Sequence, residues 1–315
     1  MLLARYDPPP VLISLDSDNH QAIEQKDKQI VEFEKLKNSK PFGEAQCGAF
    51  LASEKGWRDG ENTKARCAVS FPRSYAAPPK LLFGLSLMDA EANRNRALGV
   101  YYPEVRSDGF SVEAGAWNAT RAYNIGCNWL VLPDDLHLET GVVHTYGTVE
   151  PEYSNFIRHV FFSQSFATPP KVCVWIQAFE YNLRDFMSIK CYATDVNCHS
   201  FHLKVESWAG RRFKHIFVQY LAYPSEEDGK RVKSGRNMVN RGQKENSHRM
   251  PFYGEPFKNT PKTFIAISET DFCHDRNTRF RCSASAPNNR ELEWSYGTWG
   301  DTNMDHAEIQ WIALE

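Results

Sequence analysis

The chain has 315 residues, of which 42% are hydrophobic and 13% aromatic, a composition that excludes a disordered chain and predicts two or three folded domains. With a formal net charge of −2, the protein lacks the positive electrostatic field that supplies most non-specific affinity for nucleic acid, so we predict no nucleic-acid partner. No apolar run approaches the roughly 18 residues of a membrane-spanning helix, so we predict no membrane insertion.

Residues 1–41 form an N-terminal arm ahead of the rest of the chain. Three consecutive prolines, Pro8 to Pro10, are typical of a linker. Residues 21–36 place apolar side chains at helical spacing and predict a short helix, with Ile23, Ile30, Phe33 and Leu36 on one face. The apolar start from Met1 to Tyr6 is too short for a signal peptide, so we expect a cytoplasmic protein or one exported by a non-classical route.

Beyond the arm, marker residues recur at a constant step of 91 residues. Trp117, Trp208 and Trp299 keep this step, as do three further sets: Pro79, Pro170 and Pro261; Asp89, Glu180 and Asp271; Trp129, Tyr220 and Trp311. Dividing the chain at this period predicts three domains, namely repeat 1 (42–132), repeat 2 (133–223) and repeat 3 (224–315).

Within each repeat, apolar and polar residues alternate with a period of two, which predicts strands that are buried on one face. In repeat 1 the inward residues of three such strands are Leu81, Phe83 and Leu85, then Phe110, Val112 and Ala114, then Ile125, Cys127 and Trp129. No helical pattern of useful length intervenes, so each repeat is predicted to be an all-β sandwich.

The tryptophans at the 91-residue step fall on the polar face of their strand. Trp117 shares its face with Ser111 and Glu113, and Trp208 and Trp299 occupy the same position, so all three are predicted to point outward. Exposing an indole ring forgoes on the order of 2 kcal/mol of burial, and stacking on the apolar face of a sugar is one reason to do so. The alternative is that a bulge or a bend turns the ring back into an interface between repeats.

Arg279 lies on the polar face of the strand that follows the loop from Asp271. An arginine there can donate forked hydrogen bonds to neighbouring hydroxyl groups of a sugar, and Asn277 can position the loop or add donor and acceptor groups. The alternative is an exposed arginine that serves only solubility.

Taken in order, these residues resemble a known family. Repeat 1 carries Pro78-Pro79, Met88-Asp89, Asn95, Gly109-Phe110, Trp117-Asn118, Tyr123 and Trp129; repeat 3 carries Pro261, Thr270-Asp271, Asn277-Thr278-Arg279, Thr298-Trp299 and Trp311. This pattern resembles the H-type lectins, the sandwiches that bind N-acetylgalactosamine in snail agglutinins and in the C-terminal domain of the discoidins. The match covers about 60 residues of each repeat.

The resemblance implies a six-stranded antiparallel sandwich that assembles as a trimer, with sugar sites at the subunit interfaces. Family sites use the arginine of an Asn-x-Arg motif, the tryptophan and the residue after it. In repeat 3 these are Arg279, Trp299 and Gly300, with Asn277 and Asp301 beside them.

The other two repeats depart from this pattern. Repeat 1 keeps Trp117 and Asn118 but has Ala97 at the arginine position, so its candidate set is completed by Asn95, Arg96 and Tyr123. Repeat 2 keeps Trp208 but has Phe186, Ser188 and Ala209 at the other matched positions, which predicts a silent site or a different sugar.

Three copies of a trimer-forming domain in one chain predict an intrachain pseudo-trimer, with any higher oligomer left open. The expected function is that of a carbohydrate-binding lectin for galactose-type sugars, above all terminal N-acetylgalactosamine on glycoproteins or glycolipids. We predict no catalysis, no metal and no cofactor, because Cys198, His199, His202, Cys273 and His274 neither recur nor have a known ligand spacing. A protein-binding scaffold with degenerate lectin sites is the alternative.

Overall fold

The computed structural model describes residues 3–4, 46–53, 63–71, 74–145, 152–181, 187–240, 244–273 and 275–315. These residues form nineteen strands and one short 3-10 helix, Ser225–Glu227. The helix predicted for residues 21–36 lies outside the described residues. Within them, no helix is long and apolar enough to cross a membrane.

Six strands fall in each repeat, and the arm adds β1 (Leu3–Ala4). Repeat 1 contains β2 (Cys47–Ser53), β3 (Thr63–Ser70), β4 (Leu81–Ala90), β5 (Arg96–Arg106), β6 (Gly109–Ala116) and β7 (Ala122–Val131). Repeat 2 contains β8 (Glu139–His144), β9 (Asn155–Phe161), β10 (Lys171–Tyr181), β11 (Met187–Thr194), β12 (Ser200–Glu206) and β13 (Phe213–Tyr223). Repeat 3 contains β14 (Val232–Asn240), β15 (Glu245–Pro251), β16 (Lys262–Phe272), β17 (Thr278–Ser285), β18 (Glu291–Gly297) and β19 (Met304–Leu314).

Each repeat is a sandwich of two three-stranded layers. In repeat 1 the layers are β2-β7-β4 and β3-β6-β5, and their inner faces meet around the ring of Phe110. The centroid of that ring lies 5.3 Å from Phe83 on one strand and 5.1 Å from Trp129 on another. All the inward residues predicted from the period-two pattern of repeat 1 are buried. The predicted all-β class and the three sandwiches are therefore confirmed.

The hydrogen-bonded sheets do not stop at the repeat boundaries. Each sheet joins one layer of one repeat to one layer of another, in the orders β3-β6-β5-β10-β13-β8, β14-β19-β16-β11-β12-β9 and β15-β18-β17-β4-β7-β2. The joining strand pairs are β5 with β10, β11 with β16, and β17 with β4, which we call junctions 1/2, 2/3 and 3/1. The three sheets thus link the repeats in a closed cycle. The arm strand β1 extends the first sheet by pairing in parallel with β3.

A second hydrophobic cluster lies where the three repeats meet, and it is built from equivalent positions of each: Leu82, Cys173 and Phe264; Leu130, Leu221 and Ile312; Leu132, Tyr223 and Leu314. One further equivalent set is unequal in size, because Gly84 and Ala266 stand where repeat 2 has Trp175. A Cβ atom on Gly84 would lie 2.6 Å from Cδ1 of Trp175 and 2.3 Å from the Cβ of Ala266. One indole therefore fills the space that three equal side chains could not share.

Candidate functional sites at the three junctions

At every junction the recurring tryptophan donates its indole N–H to a carboxylate of the other repeat. Nε1 of Trp117 lies 2.6 Å from Oε2 of Glu180, and Nε1 of Trp208 lies 2.9 Å from Oδ2 of Asp271. At junction 3/1 the side chain of Trp299 hydrogen-bonds Asp89. The three indoles are partly exposed, so they stand neither fully outward, as the parity of the strand predicts, nor sealed in a core. The N–H edge of each indole is turned into the interface between repeats, as the alternative prediction states, while the rest of the ring is partly exposed.

A left-handed turn after each tryptophan accounts for this orientation. The next residue has a positive φ in all three repeats, 53° at Asn118, 58° at Ala209 and 62° at Gly300. At Gly300 the absence of a side chain also makes room for a neighbour, because a Cβ atom there would lie 2.4 Å from Nη1 of Arg279. The left-handed backbone conformation by itself therefore constrains which residues can follow the tryptophan.

Junction 3/1 brings together most of the residues predicted in repeat 3. Nε of Arg279 donates to Oδ1 of Asp89 at 3.2 Å, and Nη1 donates to Oδ1 of Asp301 at 2.5 Å. Asn124 adds a longer contact of 3.5 Å to Asp89. Burial raises the pKa of Asp89 despite the opposing effect of Arg279, whereas the hydrogen bond from Arg279 lowers the pKa of the exposed Asp301.

Asn277 and Arg96 tie repeat 3 to repeat 1 beside this site. Oδ1 of Asn277 accepts a hydrogen bond from the backbone N–H of Ala92 at 2.7 Å. Arg96 is only 1% exposed, and its Nε donates to Oγ1 of Thr278 at 2.6 Å while Nη2 donates to backbone carbonyls of the same loop. The sugar contact predicted for Arg96 is therefore replaced by a structural role, because a guanidinium buried among these partners has no surface to offer.

Junction 1/2 lacks an arginine at position 97 and binds its carboxylate differently. Nδ2 of Asn118 donates to Oε1 of Glu180 at 2.8 Å, and Nζ of Lys214 lies 3.7 Å from the same oxygen. Asn95 supports this arrangement by donating to the backbone carbonyl of Asn118 at 2.8 Å. Asn95 and Asn118 thus lie together with Trp117 at this junction.

Tyr123 is not part of that group. Its hydroxyl lies 3.2 Å from Oε1 of Glu91, and its neighbour in the chain, Asn124, contacts Asp89. Tyr123 therefore belongs to the surroundings of junction 3/1, because β7 runs beside β4 and carries it to that end of the sheet.

Junction 2/3 has Ser188 at the arginine position, and a different residue supplies the positive charge. Nη1 of Arg211 donates to Oδ1 of Asp271 at 2.6 Å. His306 stacks on Trp208, with the ring centroids 5.6 Å apart and the planes 14° from parallel, and its Nε2 lies 2.8 Å from Glu269. One face of this indole is therefore covered. Phe186, the remaining predicted position of this repeat, lies outside the described residues.

The three junctions share an indole, a carboxylate from another repeat and a cationic side chain. Neither the three junction carboxylates nor Arg211 and Lys214 are among the site residues predicted from the sequence. The carboxylates were detectable, because Asp89, Glu180 and Asp271 keep the 91-residue step, and they are only 7%, 6% and 5% exposed. A carboxylate next to cationic and amide donors can bind hydroxyl groups, which both donate and accept hydrogen bonds.

The metal-binding candidates that the structure describes do not come together. Within the described ranges, no group of three or more His, Cys, Asp or Glu side chains is placed to hold a metal ion. Nδ1 of His199 lies 2.7 Å from Ser165, and Nδ1 of His202 lies 3.1 Å from Asp195, while His274 is outside those ranges.

Comparison with known proteins places the three repeats in a family. The family model described as the H-type lectin domain matches residues 67–131, 157–223 and 247–314. The chain belongs to the H-type lectin family. The three matched stretches are tandem H-type lectin domains, as the resemblance of the sequence motifs predicts.

One curated relative of this H-type lectin is the protein described as "ATP synthase subunits region ORF 7" from Fuscovulum blasticum. It is 29% identical over 62 residues, which are 20% of this chain and 54% of that protein, so the chain spans about half the length of this relative. No solved structure matches the lectin.

Proposed function

We propose that this lectin binds galactose-type sugars, preferably terminal N-acetylgalactosamine, at its junctions, and that the chain acts as an intrachain pseudo-trimer. The observation that carries the proposal is the recurrence of an indole, a carboxylate and a cationic group at all three junctions. Two different repeats contribute to each set, so each site depends on contact between repeats. The cyclic linkage of the sheets supports the pseudo-trimer for the same reason.

Junction 3/1 is the proposed primary site. Its carboxylates, Asp89 and Asp301, can accept hydrogen bonds from sugar hydroxyls, and Arg279 between them can donate to the sugar oxygens. The partly exposed ring of Trp299 offers an apolar surface to the C–H groups of the sugar. No bond is made or broken, so the activity is binding without chemistry.

Several weak sites on one chain make a functional lectin. A single small site of this kind is expected to bind a monosaccharide near millimolar affinity, roughly 4 kcal/mol. Linked sites raise the avidity for a surface that bears many glycans, which supports a role in agglutination or cell adhesion. We propose that the protein acts in the cytoplasm or reaches glycans by a non-classical export route.

Trp299→Ala and Arg279→Gln test the site at junction 3/1. On a glycan array and in calorimetry with methyl N-acetylgalactosaminide, each substitution should weaken binding at this site about tenfold, the equivalent of about 1.4 kcal/mol. Arg249→Gln is the matched control and should keep the binding. Arg249 lies on β15, an edge strand of the same repeat, and pairs there with Glu293 of β18. Wild-type protein that ignores every galactose-type glycan would end the proposal.

A further inference from the structure

Four rings form a continuous strip across the outer face of the sheet at junction 1/2. The centroid of Trp117 lies 6.3 Å from that of Tyr101, Tyr101 lies 5.6 Å from Phe217, and Phe217 lies 5.2 Å from His144. The first three rings are partly exposed and His144 is exposed. We call these four residues the aromatic strip. It begins at the tryptophan of the candidate sugar site and leads away from it.

Small residues beneath the rings make the strip continuous. Tyr101 on β5 and Phe217 on β13 flank β10, and two strand spacings of about 4.8 Å separate their backbones. Their rings still meet because the intervening position is Ala178, which pairs with Phe217 on one side and Gly99 on the other. A Cβ atom on Gly99 would lie 2.2 Å from the Cβ of Ala178, so the two backbones approach closely there.

The other two junctions do not carry this strip. At junction 2/3 the positions equivalent to Tyr101 and Phe217 are Tyr192 and Glu308, and both are engaged in polar contacts, Tyr192 with Glu206 and Glu308 with Arg236. At junction 3/1 the same positions are Ser283 and Gly126. Among the described residues, therefore, the row of rings distinguishes one junction from its two counterparts.

We propose that the aromatic strip is an extended subsite that holds the inner sugars of an oligosaccharide, whose terminal sugar lies at Trp117, Asn118 and Glu180. This inference rests on the proposed function and names its ligand more closely. The strip is continuous with the candidate site through the contact of Tyr101 with Trp117. Neighbouring rings meet at angles of 45°, 88° and 30°, so the strip presents both ring faces and ring edges to the C–H groups of a sugar. The hydroxyl of Tyr101 can donate or accept a hydrogen bond.

An oligosaccharide fits this surface better than a protein partner. A stable protein interface buries about 800 Å² on each partner, which four partly covered rings do not supply by themselves. The strip crosses the sheet from β6 to β8, roughly 19 Å by strand spacing, and is one ring wide. A long, narrow track of rings suits a linear chain of sugars.

The test compares a monosaccharide with longer ligands that share its terminal sugar. Calorimetry is carried out on the full chain with methyl N-acetylgalactosaminide and with a panel of trisaccharides that end in the same sugar. We expect at least one trisaccharide to bind one site per chain about tenfold more tightly than the monosaccharide. Phe217→Ala should abolish that gain and leave the monosaccharide affinity unchanged.

Glu308→Ala, at the equivalent position of junction 2/3, is the matched control and should keep the gain. If Phe217→Ala fails to fold, His144→Ala at the exposed end of the strip should reduce the gain instead. If the monosaccharide binds but no trisaccharide binds more tightly, the subsite proposal is overturned and the proposed function stands. A protein contact would then be the remaining explanation of the aromatic strip. If neither ligand binds, both proposals fail.

Discussion

Asp89 is buried between repeats 3 and 1 and accepts hydrogen bonds from Trp299, Arg279 and Asn124. These contacts hold the indole and the guanidinium in fixed positions, so the carboxylate organises the site even if a sugar touches only part of it. The equivalent carboxylates, Glu180 and Asp271, hold their own tryptophans in the same way. At each junction the buried carboxylate therefore fixes the position of the tryptophan ring.

The raised pKa of Asp89 predicts that sugar binding at junction 3/1 is sensitive to acid. Burial disfavours the ionised form, so protonation begins at a higher pH than for an ordinary aspartate, whose pKa is 3.8. Binding should therefore weaken as the pH falls toward that value, because the carboxylate loses charge and acceptor capacity. Calorimetry between about pH 4 and pH 7 measures this, with thermal unfolding recorded in parallel.

Asp89→Asn is the control for that profile. The amide cannot ionise, so this variant should bind weakly at junction 3/1 with little dependence on pH. An unchanged acid profile in the variant would assign the loss of binding to another group.

The residue that directly follows each tryptophan carries more backbone strain in repeat 2 than in repeats 1 and 3. Asn118 and Gly300 tolerate the left-handed conformation, whereas Ala209 adopts the same positive φ with a Cβ atom. An alanine in this region costs on the order of 1–2 kcal/mol. Repeat 2 therefore keeps the turn that orients Trp208 at the expense of stability.

Ala209→Gly should relieve this strain. Glycine loses more conformational freedom on folding, which offsets part of the gain, so we expect the free energy of unfolding to rise by about 0.5–1 kcal/mol. Urea unfolding measures the change. Ala193→Gly, within strand β11, is the matched control and should lower the free energy of unfolding by a similar amount.

The strands and their inner faces could be predicted from the sequence, but the side-chain contacts between repeats could not. The period-two pattern identified the inner face of the strands around Phe83 and Phe110. It did not predict that the opposite face of β4, which carries Leu82, is also buried in the second hydrophobic cluster, and it placed Trp117 and its counterparts fully outward. Arg211 and Lys214 escaped prediction because they reach the junction carboxylates from positions where the other repeats have no cation. Because the cations of the three repeats come from non-equivalent sequence positions, the 91-residue repeat does not reveal them.

For the whole molecule, shared sheets and the central cluster predict that the three repeats unfold together. Trp175 is fully buried there, between Gly84 and Ala266, and its Nε1 donates to the carbonyl of Phe83 at 2.6 Å. Its removal leaves a cavity that neither small neighbour fills. All three repeats then lose packing at once.

Trp175→Ala should therefore lower the free energy of unfolding by about 3–5 kcal/mol. Trp299→Ala, which removes a partly exposed ring, is the comparison and should cost only about 1–2 kcal/mol. Urea unfolding followed by fluorescence and by circular dichroism should give one coincident transition in each protein. Three separate transitions in the wild type would contradict the cyclic arrangement.

The pairing of β17 with β4 has a consequence for the newborn protein. As the first sandwich leaves the ribosome, β4 and β5 both expose unsatisfied backbone groups at their free margins. Translation of repeat 2 supplies β10 for one margin, but the other stays open until residues near Thr278 and Arg281 have been made. The nascent polypeptide must keep that margin from pairing with a neighbour until its own last domain arrives.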